Sequence, residues 1–269
     1  MIRLAIRDDD MNFFTKVEDI QYVYHEIPDF PVSFAVVPRV TDLSTVGACP
    51  DTKGNATPQP IGNNRELLNY MRKRLTDGTA DILLHGQSHR YVFKDCVRIP
   101  EMRQDKPLIG EDWLSTIAVE KEYLESLFGY KISVFVAPSN VISKSNLRSV
   151  VSNKLNFSGI VPIKFEREVT IKNLLNYMKR WMIRAVNRLP YPGVMTYSDH
   201  KEINACVVQG YDYLMTMFDY CCKKKLPMVI NTHYWHLRDN PDEREMVIRF
   251  IKDAISKGAK PTKLSDILE

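Results

Sequence analysis

No stretch of the 269 residues approaches the roughly 18 consecutive apolar positions of a spanning helix, so the sequence contains no transmembrane segment of that kind. The N-terminus, MIRLAIRDDDMNF, passes from a short apolar stretch directly into three aspartates. That leaves no room for the apolar core and cleavage site of a signal peptide, and the expectation is a cytoplasmic protein. Cysteine is scarce and unpatterned. The five residues, at 49, 96, 206, 221 and 222, form no CxxC pair and are odd in number, which suits reduced thiols better than a disulfide framework. The adjacent Cys221 and Cys222 have no third cysteine near them in sequence, so a soft-metal site is set aside in favour of structural thiols. There is no internal repeat and no low-complexity segment. A large excess of charge is missing too: the net +4 is spread along the chain and carries no nucleic-acid footprint. What remains is average for a soluble globular protein, 44% hydrophobic and 26% charged. One α/β barrel would use nearly all of the length, so a single domain over residues 1–269 is expected.

Short β-branched and apolar runs recur, each followed by a segment of helical periodicity, the alternation of βα units. Seven strands are predicted: residues 2–7, 32–37, 81–84, 132–137, 157–163, 194–198 and 228–232. Most are too continuously apolar to have a wet face, as buried parallel strands are. Helix ends carry their own signals, such as Asn64 before RELLNYMRKRL, and Asn240 with Pro241 before a helix that Gly258 can close. In that last helix Met246, Val247, Phe250, Ile251, Ala254 and Ile255 share one face, as an outer barrel helix requires. Residues 41–64 and 91–112 are long, turn-rich and placed after strands, where active-site loops of α/β barrels lie.

Four motifs end these strands. Arg7-Asp8-Asp9-Asp10 closes the first. Three neighbouring carboxylates repel one another unless a cation or hydrogen bonds compensate, so the run invites a metal; alone it reads equally as an acidic loop start or helix cap. In an extended chain Asp8 and Asp10 face one side and Asp9 the other, unless the strand turns at its end. His85-Gly86-Gln87-Ser88-His89 follows the third strand, and an HxxxH pair offers two imidazole nitrogens to one ion, although a lone pair of this kind is often incidental. The last strand runs into Asn231-Thr232-His233-Tyr234-Trp235-His236. His233 can give a proton to a leaving group or serve as a hydrogen-bonded structural histidine at the rim, Trp235 offers a flat face for a sugar ring, and His236 reads as structural. Pro138-Ser139-Asn140 ends the fourth strand and can shape a pocket wall. All four lie at C-terminal strand ends, the face on which barrel enzymes build their sites, and joint placement argues against coincidence.

In order and spacing, from the first strand to the last helix, these residues resemble the NodB-type polysaccharide deacetylases, carbohydrate esterase family 4, and more closely a branch that begins RxDD and carries HGxxH. The resemblance implies a distorted (β/α)7 barrel, in agreement with the seven predicted strands. It implies Asp9 as general base, Asp10, His85 and His89 as ligands of one divalent metal ion, with zinc expected, and His233 as general acid. Arg7, Pro138, Asn140 and Trp235 are the expected substrate-binding residues. The family usually has an arginine two residues before the proline of its third motif, where this chain has Val136, and Arg7, two residues before Asp9, is the candidate replacement. The family's acidic and tryptophan motif has no recognisable counterpart; Asp199 and His200 fall in its region.

The implied reaction removes an N-acetyl group from a sugar or glycan. The ion lowers the pKa of a bound water, Asp9 takes the water's proton, and His233 protonates the departing amine. A carbohydrate is the expected partner, with no nucleic acid and no stable membrane insertion; nothing indicates an oligomeric state. A catalytically inactive glycan-binding protein on the same fold is the competing reading, left open by Val136. Glycoside hydrolysis ranks last, because it needs two carboxyl groups roughly 5 to 10 Å apart across a sugar and no second acidic motif pairs with Asp9. Residues 171–188 place Ile171, Leu174, Leu175, Met178, Met182, Ala185 and Val186 on one face, with Lys172 and Lys179 at its margin and Arg180 and Arg184 opposite. The expectation is an amphipathic barrel helix packed by its apolar face rather than a membrane-surface helix.

Overall fold

The apolar runs become parallel strands because both of their faces are covered, one by the barrel interior and one by helices. The computed structural model describes residues 1–44, 49–159 and 165–269. Among its strands are β1 (Arg3–Met11), β2 (Val32–Val36), β3 (Ala80–His85), β4 (Val134–Val136), β5 (Asn156–Gly159), β6 (Met195–Thr196), β7 (Lys201–Asn204), β8 (Cys206–Val207) and β9 (Met228–His233). Parallel pairing runs β9-β1-β2-β3-β4-β5-β7, and β8 pairs parallel with β9. Only Ala205 separates β7 from β8, so residues 201–207 reach from β5 to β9 and complete the ring. The fold is a distorted (β/α)7 barrel, as expected.

Alternation along β1 sends Ala5, Arg7 and Asp9 inward in successive layers. The lower layer, with Ala5, Ala35, Leu83 and Val229, packs on Leu264, Ile267 and Leu268 of the short α9 (Leu264–Leu268). Outside the barrel lie α1 (Val17–Tyr24), α2 (Arg65–Thr76), α3 (Trp113–Phe128), α4 (Lys144–Ser152), α5 (Ile171–Asn187), α6 (Tyr211–Lys224), α7 (Tyr234–Asp239) and α8 (Pro241–Ser256). Asn64 caps α2 by accepting from Leu67 N at 3.0 Å. In α8 the residues Val247, Phe250, Ile251 and Ala254 are buried, while Ile255 of the predicted face is exposed.

Two expectations need correction. The predicted sixth strand, residues 194–198, is the antiparallel arm of a hairpin: Met195 and Thr196 pair with Glu202 and Lys201, and Tyr197 N donates to His200 O at 2.8 Å. The barrel strand is the next segment, Lys201–Val207, whose KEINACV reads as half-exposed. Its Glu202 is buried, and Arg167 and Arg180 supply the compensating charge at 2.5 and 3.1 Å from segments that no periodicity links to it. Helix α5 is turned the other way from its expected packing: Asn173 and Arg180 are its buried positions, and its apolar stripe faces outward. Of the predicted fifth strand, residues 160–163 lie outside the described residues.

The two long loops fold over the C-terminal ends of β2 and β3. Arg39 N and Thr41 N donate to the carbonyls of Gln87 and Ser88 at 2.9 and 3.1 Å. Within residues 91–112, a hairpin (Val92–Lys94 with Val97–Ile99) leads into a single turn at Glu101–Arg103, which returns Glu101 to the same loop.

Candidate active site

Strand register brings the four motifs together. In the β1–β9 pair Asp9 lies opposite His233, and in the β3–β4 pair His85 lies opposite Val136. Asp10 leaves strict alternation: its φ of 74° is left-handed, and the β1–β2 register shifts between Asp8 and Met11. This turn lets Asp10 join Asp9 on the site face while Asp8 points outward into the helical layer. The repulsion among three neighbouring carboxylates is thereby reduced. Asp8 is buried against the hydroxyl of Tyr24, Thr232 Oγ1 at 3.2 Å and the backbone N–H of Tyr234 at 2.9 Å. Burial, with a smaller contribution from Asp9, pushes its carboxyl up to about 7, against the hydrogen bonds that favour its charge. Asp8 thus ties β1 to α1 and to the start of α7 and stands apart from the reacting groups.

His85 Nε2 and His89 Nε2 converge on one oxygen of Asp10, Oδ1, at 3.2 and 3.3 Å, and ligand atoms of the three residues all lie within 4.8 Å of one another. His85 Nδ1 is 3.0 Å from Val136 O, an acceptor, so Nδ1 carries a proton. Burial opposes the charged form of His85, while the hydrogen bond to Asp10 and the Val136 carbonyl raise its proton affinity; in the neutral form Nε2 presents a lone pair toward Asp10 Oδ1 that a cation between them would satisfy. Burial favours the neutral form of His89, whose Nδ1 is also buried and without a hydrogen-bond partner among the described residues. Burial alone would raise the Asp10 carboxyl, yet the imidazoles of His89, His85 and His233 hold it well below the usual carboxylate range. One hard oxygen and two imidazole nitrogens, dry and convergent, fit a divalent ion such as zinc.

Gly86 allows the sharp turn between the histidines. Its φ is 62°, and a Cβ there would fall against the Glu101 carboxylate and 2.5 Å from Pro138 Cγ. Pro138 is thus a wall behind the His85–His89 turn. Glu101 holds that turn from the other side, accepting from the backbone N–H of Gln87, Ser88 and His89 at 3.0, 2.8 and 3.2 Å and from Ser88 Oγ at 2.6 Å. Its role was invisible in the sequence, where it is one acidic residue in a loop rich in turns. Replacing Glu101 with glutamine keeps the shape but turns an N–H toward donors; metal affinity is expected to fall about 10- to 100-fold, the usual cost of disturbing groups that orient a ligand, as a competition titration with a chromogenic chelator would report.

Asp9 is gripped by one oxygen only. Arg7 Nη2 donates to Oδ2 at 2.7 Å and Asn231 Nδ2 to the same atom at 2.9 Å, while Oδ1 is buried with no hydrogen-bond partner among the described residues. Arg7 is fully buried inside the barrel and also donates to Asn140 Oδ1 at 2.8 Å and Ser158 Oγ at 3.2 Å. Both Arg7 and Asn140, expected to bind substrate, are therefore positioned to orient Asp9. Asn140 and Ser139 adopt left-handed φ of 56° and 58°, which brings the Asn140 amide back to Arg7. Position 136, where an arginine was expected, instead supplies the carbonyl that orients His85.

His233 is about one-third exposed at the mouth, with Nε2 3.8 Å from Asp10 Oδ2 and its ring 5.2 Å from Trp235. Trp235 Nε1 donates to Asp10 Oδ2 at 3.1 Å, so Trp235 supports the carboxylate as well as standing at the rim. The Tyr91 ring lies 5.8 Å from His89. His236 points away and pairs with Glu243 at 3.0 Å. Asp199 and His200 belong to the separate Glu202 cluster, where His200 Nε2 is 2.7 Å from Glu202 Oε1. The cysteines are unpaired, and none belongs to the Asp10-His85-His89 group.

No family model matches the sequence, and no curated protein matches it. Solved structures do match. A Mycobacterium smegmatis protein with a provisional assignment as a polysaccharide deacetylase superposes with a TM-score of 0.53 at 10% identity, over 99% of this chain and 89% of that one. The peptidoglycan N-acetylglucosamine deacetylase Bc1960 gives 0.50 at 14% identity, over 99% and 87%. A carbohydrate esterase family 4 pseudoenzyme from Bacillus anthracis gives 0.47 at 10%, and this chain spans 65% of its length. The fold of the chain is that of the polysaccharide deacetylases of carbohydrate esterase family 4.

Proposed function

We propose that the protein is a metal-dependent deacetylase that hydrolyses the N-acetyl group of a carbohydrate to give an amine and acetate. The observation that carries this reading is the convergence of Asp10, His85 and His89 beside a carboxylate, Asp9, whose Oδ2 is held by Arg7 and Asn231 and whose Oδ1 has no hydrogen-bond partner among the described residues. A divalent ion held by Asp10, His85 and His89 would supply Lewis acidity, activating water and polarising the acyl oxygen. Asp9 Oδ1 receives the proton of the attacking water, with Arg7 and Asn231 preventing the carboxylate from rotating away. His233, at the mouth, gives its proton to the departing amine nitrogen. Asn231 and Val136 act through Asp9 and His85, and Trp235 both supports Asp10 and presents its ring at the rim, where a sugar can stack.

The test is acetate release from a panel of N-acetylated glycans and nucleotide sugars by zinc- or cobalt-loaded protein. Asp9→Asn keeps the shape of the base but removes its proton affinity; the rate is expected to fall about 10²- to 10⁴-fold while one metal equivalent is still bound. A protein that binds metal yet releases acetate from no member of the panel would instead be a glycan-binding relative without turnover.

A further inference from the structure

Helix α5 is built inside out. Its 17 residues span about 25 Å. The positions facing the protein are polar: Arg180 reaches Glu202 at 3.1 Å, Asn173 bonds Ser198 Oγ and Glu168 O at 3.2 and 3.1 Å, Asn176 donates to Thr196 O at 2.9 Å and Lys172 to Tyr197 O at 3.0 Å. These bonds fix the helix in rotation. The opposite face, repeating at spacings of three and four, consists of Ile171, Leu174, Leu175, Met178, Met182 and Val186, all exposed, with Ile171 at 82% and Val186 at 76%. A continuous apolar stripe held outward by buried polar contacts marks an interaction surface.

Charge decides the occupant. Exposed Lys179 flanks the stripe on one side, its Nζ 4.8 Å from the Tyr191 ring, and exposed Arg184 and Arg188 lie beyond its other margin. No aspartate or glutamate occurs between Glu168 and Asp199, and Glu168 itself is engaged by Arg148 and Lys144. A second copy related by a twofold axis would bring this cationic stretch against itself, with no acidic residue within 169–198 to pair it. An anionic lipid surface complements both features at once, with acyl chains for the stripe and headgroups for Lys179 and the arginines. We propose that α5 is a docking helix that lies in the plane of an anionic membrane leaflet with its apolar stripe in the headgroup and acyl boundary. The proposal is independent of the catalytic reading.

Cosedimentation of the full chain with phosphatidylcholine vesicles, with and without phosphatidylglycerol, tests it. Strong binding to the anionic vesicles, weakened by salt, is expected. Met178→Glu with Met182→Glu should weaken partitioning about a hundredfold or more, since two large apolar side chains lose their burial. Lys179→Gln and Arg184→Gln should each cost about fivefold on anionic vesicles and little on neutral ones. Because all four residues are exposed, melting temperature and metal stoichiometry should stay close to the parent values; Met178→Ser with Met182→Ser serves if the glutamates unfold the helix. Absence of vesicle binding, or binding unaffected by the stripe substitutions, overturns the proposal. A dimer that these substitutions dissolve, without vesicle binding, overturns it also and assigns the face to a second copy.

Discussion

On the proposed function, Asp10→Ala protein should retain its fold and lose stoichiometric metal binding, together with about 10³-fold or more of the deacetylase rate. The magnitude follows because an ion of this kind contributes several kcal/mol of transition-state stabilisation and about 1.36 kcal/mol corresponds to each tenfold. The geometry makes Asp10 the hinge of the site: both histidine Nε2 atoms face its Oδ1, and its Oδ2 receives the Trp235 indole. With alanine there, two imidazoles remain and no carboxylate ligand is left for a dication. The fold should survive, because Asp10 pairs with imidazoles and an indole and its removal strands no buried charge; loss of the Trp235 bond costs about 1 kcal/mol. Metal analysis after dialysis, acetate release and a melting curve separate these effects. A full equivalent of tightly held zinc in the Asp10→Ala protein would refute the assigned ligand set.

The largest effect on stability is expected at Arg7. Arg7→Met should cost about 3–5 kcal/mol, because it leaves the Asp9 carboxylate buried without its cation. Asn140 Oδ1 and Ser158 Oγ lose their donor as well. The loss reflects asymmetry: a buried ion pair replaced as a unit by apolar groups is often neutral, whereas one stranded partner is costly. The double substitution Arg7→Met with Asp9→Leu should therefore be more stable than Arg7→Met alone. Urea unfolding of the two variants, with parent protein, measures the coupling. A cost below about 1 kcal/mol for Arg7→Met would show that Asp9 does not depend on this partner.

The candidate site was largely legible because its residue types are rare and clustered: a run of three aspartates and an HxxxH need little context to suggest a cation. The division of labour within the aspartate run followed only from the family resemblance, not from strand alternation. Alternation would place Asp8 and Asp10 together, and only the left-handed φ at Asp10 and the shifted register with β2 send Asp8 to Tyr24 and Asp10 to the histidines. Glu101 could not be found for a different reason: its three backbone partners lie 12 to 14 residues away in a loop without periodic structure. The sixth strand was misplaced because burial of Glu202 depends on Arg167 and Arg180, and a charge that another segment neutralises looks solvent-exposed in the sequence.

By itself the sequence determined the parallel βα alternation, the seven-strand count and the placement of aspartates and histidines at strand ends, since hydrophobic period and residue chemistry act over a few neighbouring positions. Tertiary structure decided which way α5 turns and that the strand carrying the buried Glu202 is Lys201–Val207. Each of these depends on a charge being balanced by a partner distant in the chain. Partners of that kind meet only when the barrel closes, so no local pattern encodes them.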